Sequence, residues 1–347
     1  MNSRAKFVSA AVAGLGALVA GRAIRRREAI DFAGKVVVIT GGSRGLGLVM
    51  AREWAADGAR LALLARDAAE LRRAEDDLVA RGVEVLAIPC DLREQEEAQG
   101  AIRRVLDHYG RIDVLVNNAG VIQTGPVEHM EIEDFEDAMA IHLWAPLYTM
   151  YAAVPFMRRQ GGGRIVNISS IGGKIAVPHL LPYCASKFAL TGLSHGMHAE
   201  LAKYNIKVTT VCPGLMRTGS HVNALFKGRH QAEFAWFSTF DALPVSSMEA
   251  RRAARQIVEA CRNADPELII SIQAQAAALF AAVFSGWTAE LMALFDRFLP
   301  GPTGDQGDII KDGWESRSSI APSPLTRLAD RATTENNELR GHMPIGD

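Results

Sequence analysis

Short apolar runs rich in valine, isoleucine and leucine alternate with helix-like stretches along most of the chain, and this alternation constrains the fold most. A strand that is apolar throughout is covered on both faces, as in a parallel sheet between helices. The predicted strands are residues 36–39, 61–64, 83–88, 114–116, 165–168, 208–211 and 268–270, and the longest predicted helices are 135–158 and 183–204. Strands alternating with helices imply right-handed βαβ units. We therefore expect a doubly wound α/β fold, with a parallel sheet and helices on both faces.

The alternation occupies residues 34–272, and the segments on either side differ from it in composition. Residues 1–33 combine an uncharged apolar segment with a basic linker. Residues 273–299 are alanine-rich and apolar, and we predict one helix that packs on the domain or on a second subunit rather than on a membrane surface. Residues 300–347 are polar and rich in glycine, proline and serine, which is typical of a loosely structured tail.

The N-terminal apolar stretch, residues 7–21, has three interpretations: a single-pass membrane anchor, a cleaved signal peptide, or a packed or peripheral helix. A full span needs about 17–25 apolar residues, so the stretch would have to continue past Arg22 to Ile24. The heavier basic flank follows the stretch, and positive flanks stay on the cytoplasmic side. We favour the anchor, which would place the domain in the cytoplasm, on the membrane face.

Composition argues against two classes of function. The formal net charge is −1 at pH 7, without the basic excess of a nucleic-acid-binding protein. The four cysteines, Cys90, Cys184, Cys212 and Cys261, form no CxxC pair. We therefore predict reduced, buried thiols and no metal site.

A glycine-rich turn, TGGSRGLG, directly follows the first predicted strand at residues 40–47. A strand that feeds such a turn into a helix presents backbone N–H groups and the positive helix end to a pyrophosphate. The glycines at 41, 45 and 47 permit a tight turn, close approach of a ligand and close packing of helix on strand. The alternative is a turn that binds nothing, but its place in a βαβ unit favours a dinucleotide.

The end of the second predicted strand indicates which dinucleotide binds. An NAD site usually places an acidic residue about twenty residues after the glycines, whereas here Arg66 precedes Asp67. Arg44 lies within the turn itself, and two guanidiniums would bind a 2′-phosphate through charge-assisted hydrogen bonds. We therefore predict NADP(H). The alternative is two solvated arginines, with Asp67 capping the next helix.

Tyr183 and Lys187 open a predicted helix and share one of its faces, because they are four residues apart. A free tyrosine has a pKa near ~10 and is a poor base at neutral pH. A nearby ammonium would lower that pKa toward the working range. Ser169 and Ser170 follow a predicted strand, at the sheet edge where ligands bind. These residues predict an acid–base site, and an ordinary surface helix is the alternative.

Together these motifs resemble the short-chain dehydrogenase/reductase family over about residues 34–270. Further matches are the NNAG sequence at 117–120, the placement of Ser170 thirteen residues before Tyr183, and Pro213-Gly214 with Thr218 beyond. The resemblance implies a Rossmann-like fold and hydride transfer between a nicotinamide and a carbonyl or alcohol.

The resemblance also implies residue roles. Tyr183 would be the general acid in reduction, Lys187 would lower its pKa and hold the nicotinamide ribose, and Ser170 rather than Ser169 would bond the substrate oxygen. The implied cofactor contacts are Thr40, Gly41, Ser43, Arg44, Gly45, Leu46, Gly47, Arg66, Asp91, Leu92, Asn118, Ala119, Gly120, Tyr183, Lys187, Pro213, Gly214 and Thr218.

His142 departs from the family pattern, which often has an asparagine there that supports a water-linked proton relay. The histidine could replace the asparagine structurally, add a titratable group to the relay, or simply be tolerated. We include it in the catalytic group and expect a structural substitute. The departure affects rate and pH dependence rather than reaction type.

Residues 215–243 form a predicted lid that sets substrate specificity. Its aromatic residues are Phe226, Phe234, Trp236, Phe237 and Phe240. They would suit a lipophilic alcohol or ketone, or they pack the lid or a subunit contact. A homodimer or homotetramer through the two longest helices would resemble the family.

Two other functions compete with an NADP(H) oxidoreductase. One is a catalytically idle NADP(H)-binding scaffold or redox sensor on the same fold, which need not retain Ser170, Tyr183 and Lys187. The other is a dehydratase or epimerase of the extended relatives, whose turn is usually GxxGxxG, unlike the one here.

Overall fold

The computed structural model describes residues 29–242, 247–318 and 326–339. The predicted anchor at residues 7–21 lies outside this range. In the range described, the strands are β1 Val36–Thr40, β2 Arg60–Ala65, β3 Val85–Pro89, β4 Val114–Asn117, β5 Gln123–Thr124, β6 Gly163–Ile168, β7 Ile206–Pro213, β8 Leu215–Arg217, β9 Leu225–Phe226, β10 Ser247–Glu249, β11 Glu267–Ile270 and β12 Lys311–Asp312. The α-helices are α1 Gly45–Ala56, α2 Ala68–Val79, α3 Gln95–Tyr109, α4 Ile132–Met139, α5 Ala145–Arg159, α6 Leu181–Leu201, α7 His230–Ala242, α8 Ala250–Arg262, α9 Ile272–Val283, α10 Ser285–Asp296 and α11 Arg327–Glu335.

Seven parallel strands form the central sheet, in the order β11-β7-β6-β4-β1-β2-β3. The prediction of a doubly wound α/β fold is confirmed. The chain builds outward from β1 in one direction and from β4 in the other, so the strand order reverses between these neighbours. The carboxyl ends of β1 and β4 therefore flank the crevice where such sheets bind ligands.

Alternate residues of β1 enter two separate cores. Val37 and Ile39 pack with Trp54 on one face of the sheet, whereas Val36 and Val38 pack with the helices of the other face. All these side chains are fully buried. Burying each aliphatic side chain stabilises the fold by roughly 1.5–3 kcal/mol, which explains why the strands are apolar throughout.

The helix predicted at 135–158 is interrupted. α4 passes through a π-helical segment, Ala140–Trp144, into α5. A π-helical turn inside an α-helix carries an extra residue and is frequent at functional sites. This segment contains His142.

The prediction of one helix over residues 273–299 is wrong. α9 and α10 meet at Phe284 with a bend of 119°, directly before Ser285 and Gly286, a pair that favours helix breaks. Their exposed apolar side chains include Leu279, Val283, Trp287 and Leu294. Within the described ranges, no single helix has the length and apolar character needed to cross a membrane, although the bent pair α9–α10 meets both criteria jointly.

The expected loose tail is ordered where the structure describes it. β12 pairs antiparallel with β9, and α11 packs on α7 and β8. Ala329, Ala332 and Thr333 of α11 are buried. Residues 326–339 thus cover part of the lid instead of extending away from the domain.

Candidate active site

The glycine turn between β1 and α1 is packed too tightly for other residues. A Cβ atom on Gly47 would overlap the carbonyl oxygen of Gly41, and Gly41 itself has φ +62°. α1 begins at Gly45 without a capping side chain on Arg44, so its first N–H groups face out of the helix end. A turn of this shape fits a dinucleotide pyrophosphate.

Side chains after β4 hold the turn in place. Thr40 Oγ1 accepts hydrogen bonds from the N–H groups of Asn118 (2.9 Å) and Ala119 (3.0 Å). Asn118 Nδ2 donates in return to the carbonyl oxygens of Thr40 (3.0 Å) and Gly41 (3.2 Å). The NNAG motif and the glycine turn therefore form one rigid unit at the crevice.

The two arginines expected at the adenosine end have different surroundings. Arg44 Nε lies 3.4 Å from Glu70 Oε2. Arg66 is 67% exposed, and its Nη1 lies 3.8 Å from Asp91 Oδ2. Asp67 accepts from two N–H groups at the start of α2, so it caps that helix as the alternative interpretation proposed. Arg66 is therefore the more available of the two cations.

The two serines after β6 point to different partners. Ser169 Oγ donates to the carbonyl oxygen of Lys187 (3.0 Å) and lies 2.7 Å from Thr191 Oγ1. Ser170 Oγ accepts from the N–H of Gly172 (3.0 Å) and is hydrogen-bonded to the Tyr183 phenol. Ser170 thus lies beside the phenol, whereas Ser169 anchors α6.

α6 brings Tyr183 and Lys187 to the same crevice. Lys187 Nζ donates to the carbonyl oxygen of Ile168 (2.9 Å) and lies 5.6 Å from the centroid of the Tyr183 ring. Burial lowers the pKa of Lys187 to about 7. Burial raises the pKa of Tyr183 to about 12, although its bond to Ser170 opposes this shift.

The sequence led us to expect that Lys187 lowers the pKa of Tyr183. In the structure that pKa is raised instead. Desolvation of the phenol outweighs the favourable bond from Ser170. Tyr183 therefore holds its proton at neutral pH, and this is the form from which a general acid donates.

His142 uses both ring nitrogens for contacts within the protein. Nε2 accepts from the N–H of Val121 (3.1 Å), so the proton belongs on Nδ1, 2.8 Å from Ser186 Oγ. Ser186 Oγ in turn donates to the carbonyl oxygen of Tyr183 (2.8 Å). Burial, assisted by Lys187, lowers the pKa of His142 well below its usual value. A neutral His142 therefore joins the segment after β4 to the start of α6.

A buried polar network beneath the site carries residues whose role the sequence did not indicate. Asn117 Nδ2 donates to Asn167 Oδ1 (2.8 Å), and Asn167 Nδ2 donates to Ser194 Oγ (3.0 Å). Thr210 Oγ1 also donates to Ser194 Oγ (2.7 Å). These bonds fix the ends of β4, β6 and β7 relative to α6. The sequence signal for this network is the presence of polar residues, namely Asn117, Asn167 and Thr210, within otherwise apolar strands.

The remaining predicted cofactor residues lie at the crevice edges. Pro213 ends β7, and Gly214 faces Ser271 and Ala274. Thr218 is buried, with its hydroxyl bonded to Ser220 (2.8 Å). Asp91 and the buried Leu92 follow β3, where Asp91 Oδ1 accepts from the N–H of Arg93. Gly120 faces His142 and Lys187, where a Cβ would meet both side chains.

The lid aromatics pack mainly against one another. Phe226, Phe234 and Phe237 are buried as one cluster, with ring centroids 5.6 and 6.1 Å from Phe226. The cavity beside Tyr183 is instead lined by Val121, Gln123, Asp134, Asp137, Ala138, Leu225 and Ile310. Its volume is about 30 Å³, room for little more than water.

Two acidic residues near the turn were not foreseen. Glu70 accepts from Ser43 Oγ (3.1 Å), and Glu338 Oε2 accepts from Arg44 Nη1 (3.2 Å). Glu70 resembles any charged helix residue, and Glu338 lies in a segment expected to be loose. Neither position carried a sequence signal.

The cysteines and the possible metal ligands can be located in the described part of the chain. All four cysteines are buried and free, and burial raises each thiol pKa to about 11 or 12. Among the residues that the structure describes, no group of three or more histidine, cysteine, aspartate or glutamate residues is placed to hold a metal ion.

The fold and the site define a nicotinamide-dependent oxidoreductase class, and comparison with known proteins agrees. The short chain dehydrogenase family model matches residues 35–226. A dehydrogenase/reductase SDR family protein 7-like of Anopheles gambiae is 32% identical over 270 residues, covering 76% of this chain and 84% of that protein. An uncharacterized oxidoreductase of Thermotoga maritima is 37% identical over 187 residues, covering 53% of this chain and 73% of that protein.

The solved structures include L-sorbose reductase of Gluconobacter frateurii, complexed with NADPH and L-sorbose. It has a TM-score of 0.63 and 27% identity, and the match covers 70% of this chain and 97% of that one. The chain belongs to the short-chain dehydrogenase family.

Proposed function

We propose that this protein is an NADP(H)-dependent carbonyl reductase or alcohol dehydrogenase. The observation that carries the proposal is the grouping of Ser170, Tyr183 and Lys187 at the end of the sheet where the glycine turn lies. The nicotinamide, when bound, supplies or accepts a hydride. The chain's own residues supply the proton and hold the reacting oxygen.

In reduction, the hydroxyls of Ser170 and Tyr183 donate hydrogen bonds to the carbonyl oxygen and stabilise its developing charge. Tyr183 then transfers its phenolic proton to that oxygen, which gives the alcohol. The phenolate left behind is stabilised by the Lys187 ammonium and by Ser170. In oxidation, the same phenol oxygen takes the proton back. His142 is a positioning residue in this scheme, because its Nε2 accepts from the N–H of Val121 and its Nδ1 bonds the Ser186 hydroxyl.

A lipophilic substrate is supported by how the cavity's polar side chains are used. Asp134 Oδ1 accepts from Gln123 Nε2 (2.7 Å), and Asp134 Oδ2 accepts from Lys227 Nζ (2.7 Å). These groups satisfy one another. Asp137, the other charged lining residue, is 71% exposed and lies 3.9 Å from Arg93 Nε, and Val121, Ala138, Leu225 and Ile310 form the apolar part of the wall beside Tyr183.

The test of the proposed function is a carbonyl panel with the purified protein, in which loss of NADPH or NADH absorbance is followed. Medium-chain ketones and aldehydes should be reduced with kcat/KM about 10-fold or more above that for ketoses, because ketose hydroxyls would lose water contacts against an apolar wall. Ketoses preferred over ketones would contradict the lipophilic assignment. Nucleotide binding without reduction of any carbonyl would favour the idle scaffold.

The preference for NADP(H) rests on Arg66 at the end of β2 and on Arg44 in the turn. We expect Arg66→Ala to raise KM for NADPH about 10-fold, the size of a lost charge-assisted hydrogen bond, and KM for NADH less than twofold. Arg81→Ala is the matched control, since Arg81 is also exposed but pairs with Asp77 at the far end of α2. Equal effects of Arg66→Ala on the two cofactors would rule out the assignment.

We also propose a dimer or tetramer formed through α5 and α6. Tyr151, Phe156 and Phe188 on these helices are exposed, and apolar side chains at a surface mark interaction sites when they cluster. A cytoplasmic location on the membrane face is proposed from the sequence of residues 7–27 alone.

A further inference from the structure

Residues 326–339, here called the C-terminal strap, lie across the glycine turn. The N–H of Gly45, the first residue of α1, donates to the carbonyl oxygen of Asn336 (2.9 Å). Asn337 Nδ2 donates to the carbonyl oxygens of Ser43 (2.8 Å) and Glu70 (3.1 Å). The strap therefore bonds to backbone groups of the glycine turn, at the place where a ligand of the turn would bind.

Glu338 places a carboxylate at the positive end of α1. It is only 2% exposed, and its Oε2 accepts from Arg44 Nη1 (3.2 Å) and Asn223 Nδ2 (2.6 Å). A Cβ on Gly45 would come within 2.5 Å of Glu338 Oε1. A buried anion that is held by an arginine and an amide and lies beside a helix N-terminus has the surroundings of a bound phosphate.

A dinucleotide needs the same groups. One N–H proton of Gly45 cannot serve both Asn336 and a phosphate oxygen. Two anions in contact in a partly buried site repel each other strongly. We propose that the C-terminal strap is an autoinhibitory element: Glu338 occupies the pyrophosphate position of the glycine turn, and dinucleotide binding displaces the strap.

The strap's contacts suit displacement. Its buried apolar side chains include the small Ala329 and Ala332, whereas Leu328 is half exposed. Its contacts with the turn and with residues 218–223 are hydrogen bonds, and bonds to water replace such bonds in part when a segment opens. Segments with few buried apolar contacts open at lower free energy than core helices do.

The strap also holds the lid. Asn336 Nδ2 donates to the carbonyl oxygen of Thr218 (3.0 Å), and Asp330 Oδ1 lies 3.3 Å from His221 Nε2. Displacing the strap therefore releases the lid as well as the turn. Binding of the cofactor would thereby be coupled to the opening of the narrow cavity beside Tyr183.

The inference rests on the family's dinucleotide site but not on the proposed cofactor preference or substrate, because NADPH and NADH share the pyrophosphate. In the full chain, Glu338→Gln removes the charge and keeps the shape. We expect it to bind NADPH, NADH and ADP each about 10-fold more tightly, since a larger fraction of molecules is competent to bind.

Glu335→Gln is the matched control. Glu335 is on the same strap, its side chain is 56% exposed, and it pairs with Arg331, so its loss should leave all three dissociation constants unchanged.

Hydrogen–deuterium exchange of the native protein supplies a second readout. Saturating NADPH should increase exchange in residues 327–339. Unchanged or weaker binding by Glu338→Gln, with its thermal melt intact, would overturn the inference. So would a strap that keeps or gains protection with NADPH. Loss of NADPH preference or absence of turnover, with tighter binding of all three nucleotides, would count against the proposed function alone.

Discussion

Replacing Tyr183 with phenylalanine is expected to lower kcat for carbonyl reduction by about 10³-fold, within the range of a lost general acid. The dissociation constant for NADPH should stay within about twofold, because this change removes one hydroxyl that the proposed chemistry uses in the transition state. The phenylalanine ring keeps its edge-to-face contact with His142, whose ring centroid is 5.4 Å away. Stopped-flow single turnover and fluorescence titration measure the two quantities separately.

The control for this prediction is Tyr204→Phe, which removes a phenol from the 3-10 turn that follows α6 and should leave kcat unchanged. Retention of more than a tenth of kcat by Tyr183→Phe would contradict its role as proton donor. Equal loss of kcat and of nucleotide binding would instead show that the phenol supports the cofactor site.

The sheet and the turn could be predicted because each depends on local sequence. A β1 strand buried on both faces must be apolar at every position, and a strand that leads into TGGSRGLG fixes where the helix starts. The capping of α2 by Asp67 could also be predicted locally, because a carboxylate just before a helix commonly accepts hydrogen bonds from the first N–H groups of that helix.

The features that the sequence did not reveal depend on distant contacts. The pKa of Tyr183 follows from desolvation by several elements packed together, whereas its spacing from Lys187 suggested only their attraction. Glu338 meets Arg44 across 294 residues of chain, and no spacing rule links such positions. A polar tail composition is equally compatible with a free segment and with one that binds a polar surface.

The bend between α9 and α10 shows a third reason why a feature of the structure could not be predicted from the sequence. Apolar residues continue past Phe284, so the hydrophobic pattern alone predicts one helix. The break depends on the backbone at Ser285 and Gly286, where a weak local preference is enough because no tertiary packing enforces a straight helix. Neither helix is well covered by the domain.

Gly47→Ala is expected to weaken NADPH binding about 100-fold and to lower the free energy of unfolding by about 1–3 kcal/mol, as overpacking does. The added Cβ would overlap the carbonyl oxygen of Gly41 and crowd Asn118 Nδ2. To make room, the turn must separate from the Asn118 amide, and that movement disturbs the N–H groups that face the pyrophosphate. Fluorescence titration and urea unfolding measure the two effects.

Gly100→Ala is the matched control for this prediction, since Gly100 lies within α3 and a Cβ there meets only the Arg103 side chain, at 3.7 Å. It should leave NADPH affinity unchanged and stabilise the fold by about 0.5–1 kcal/mol, because alanine favours a helix interior more than glycine does. Normal NADPH affinity in Gly47→Ala would mean that the turn can relax without losing its ligand contacts. Lost affinity with unchanged stability would instead place the clash on the cofactor itself, because the protein would have accommodated the methyl group where the ligand binds.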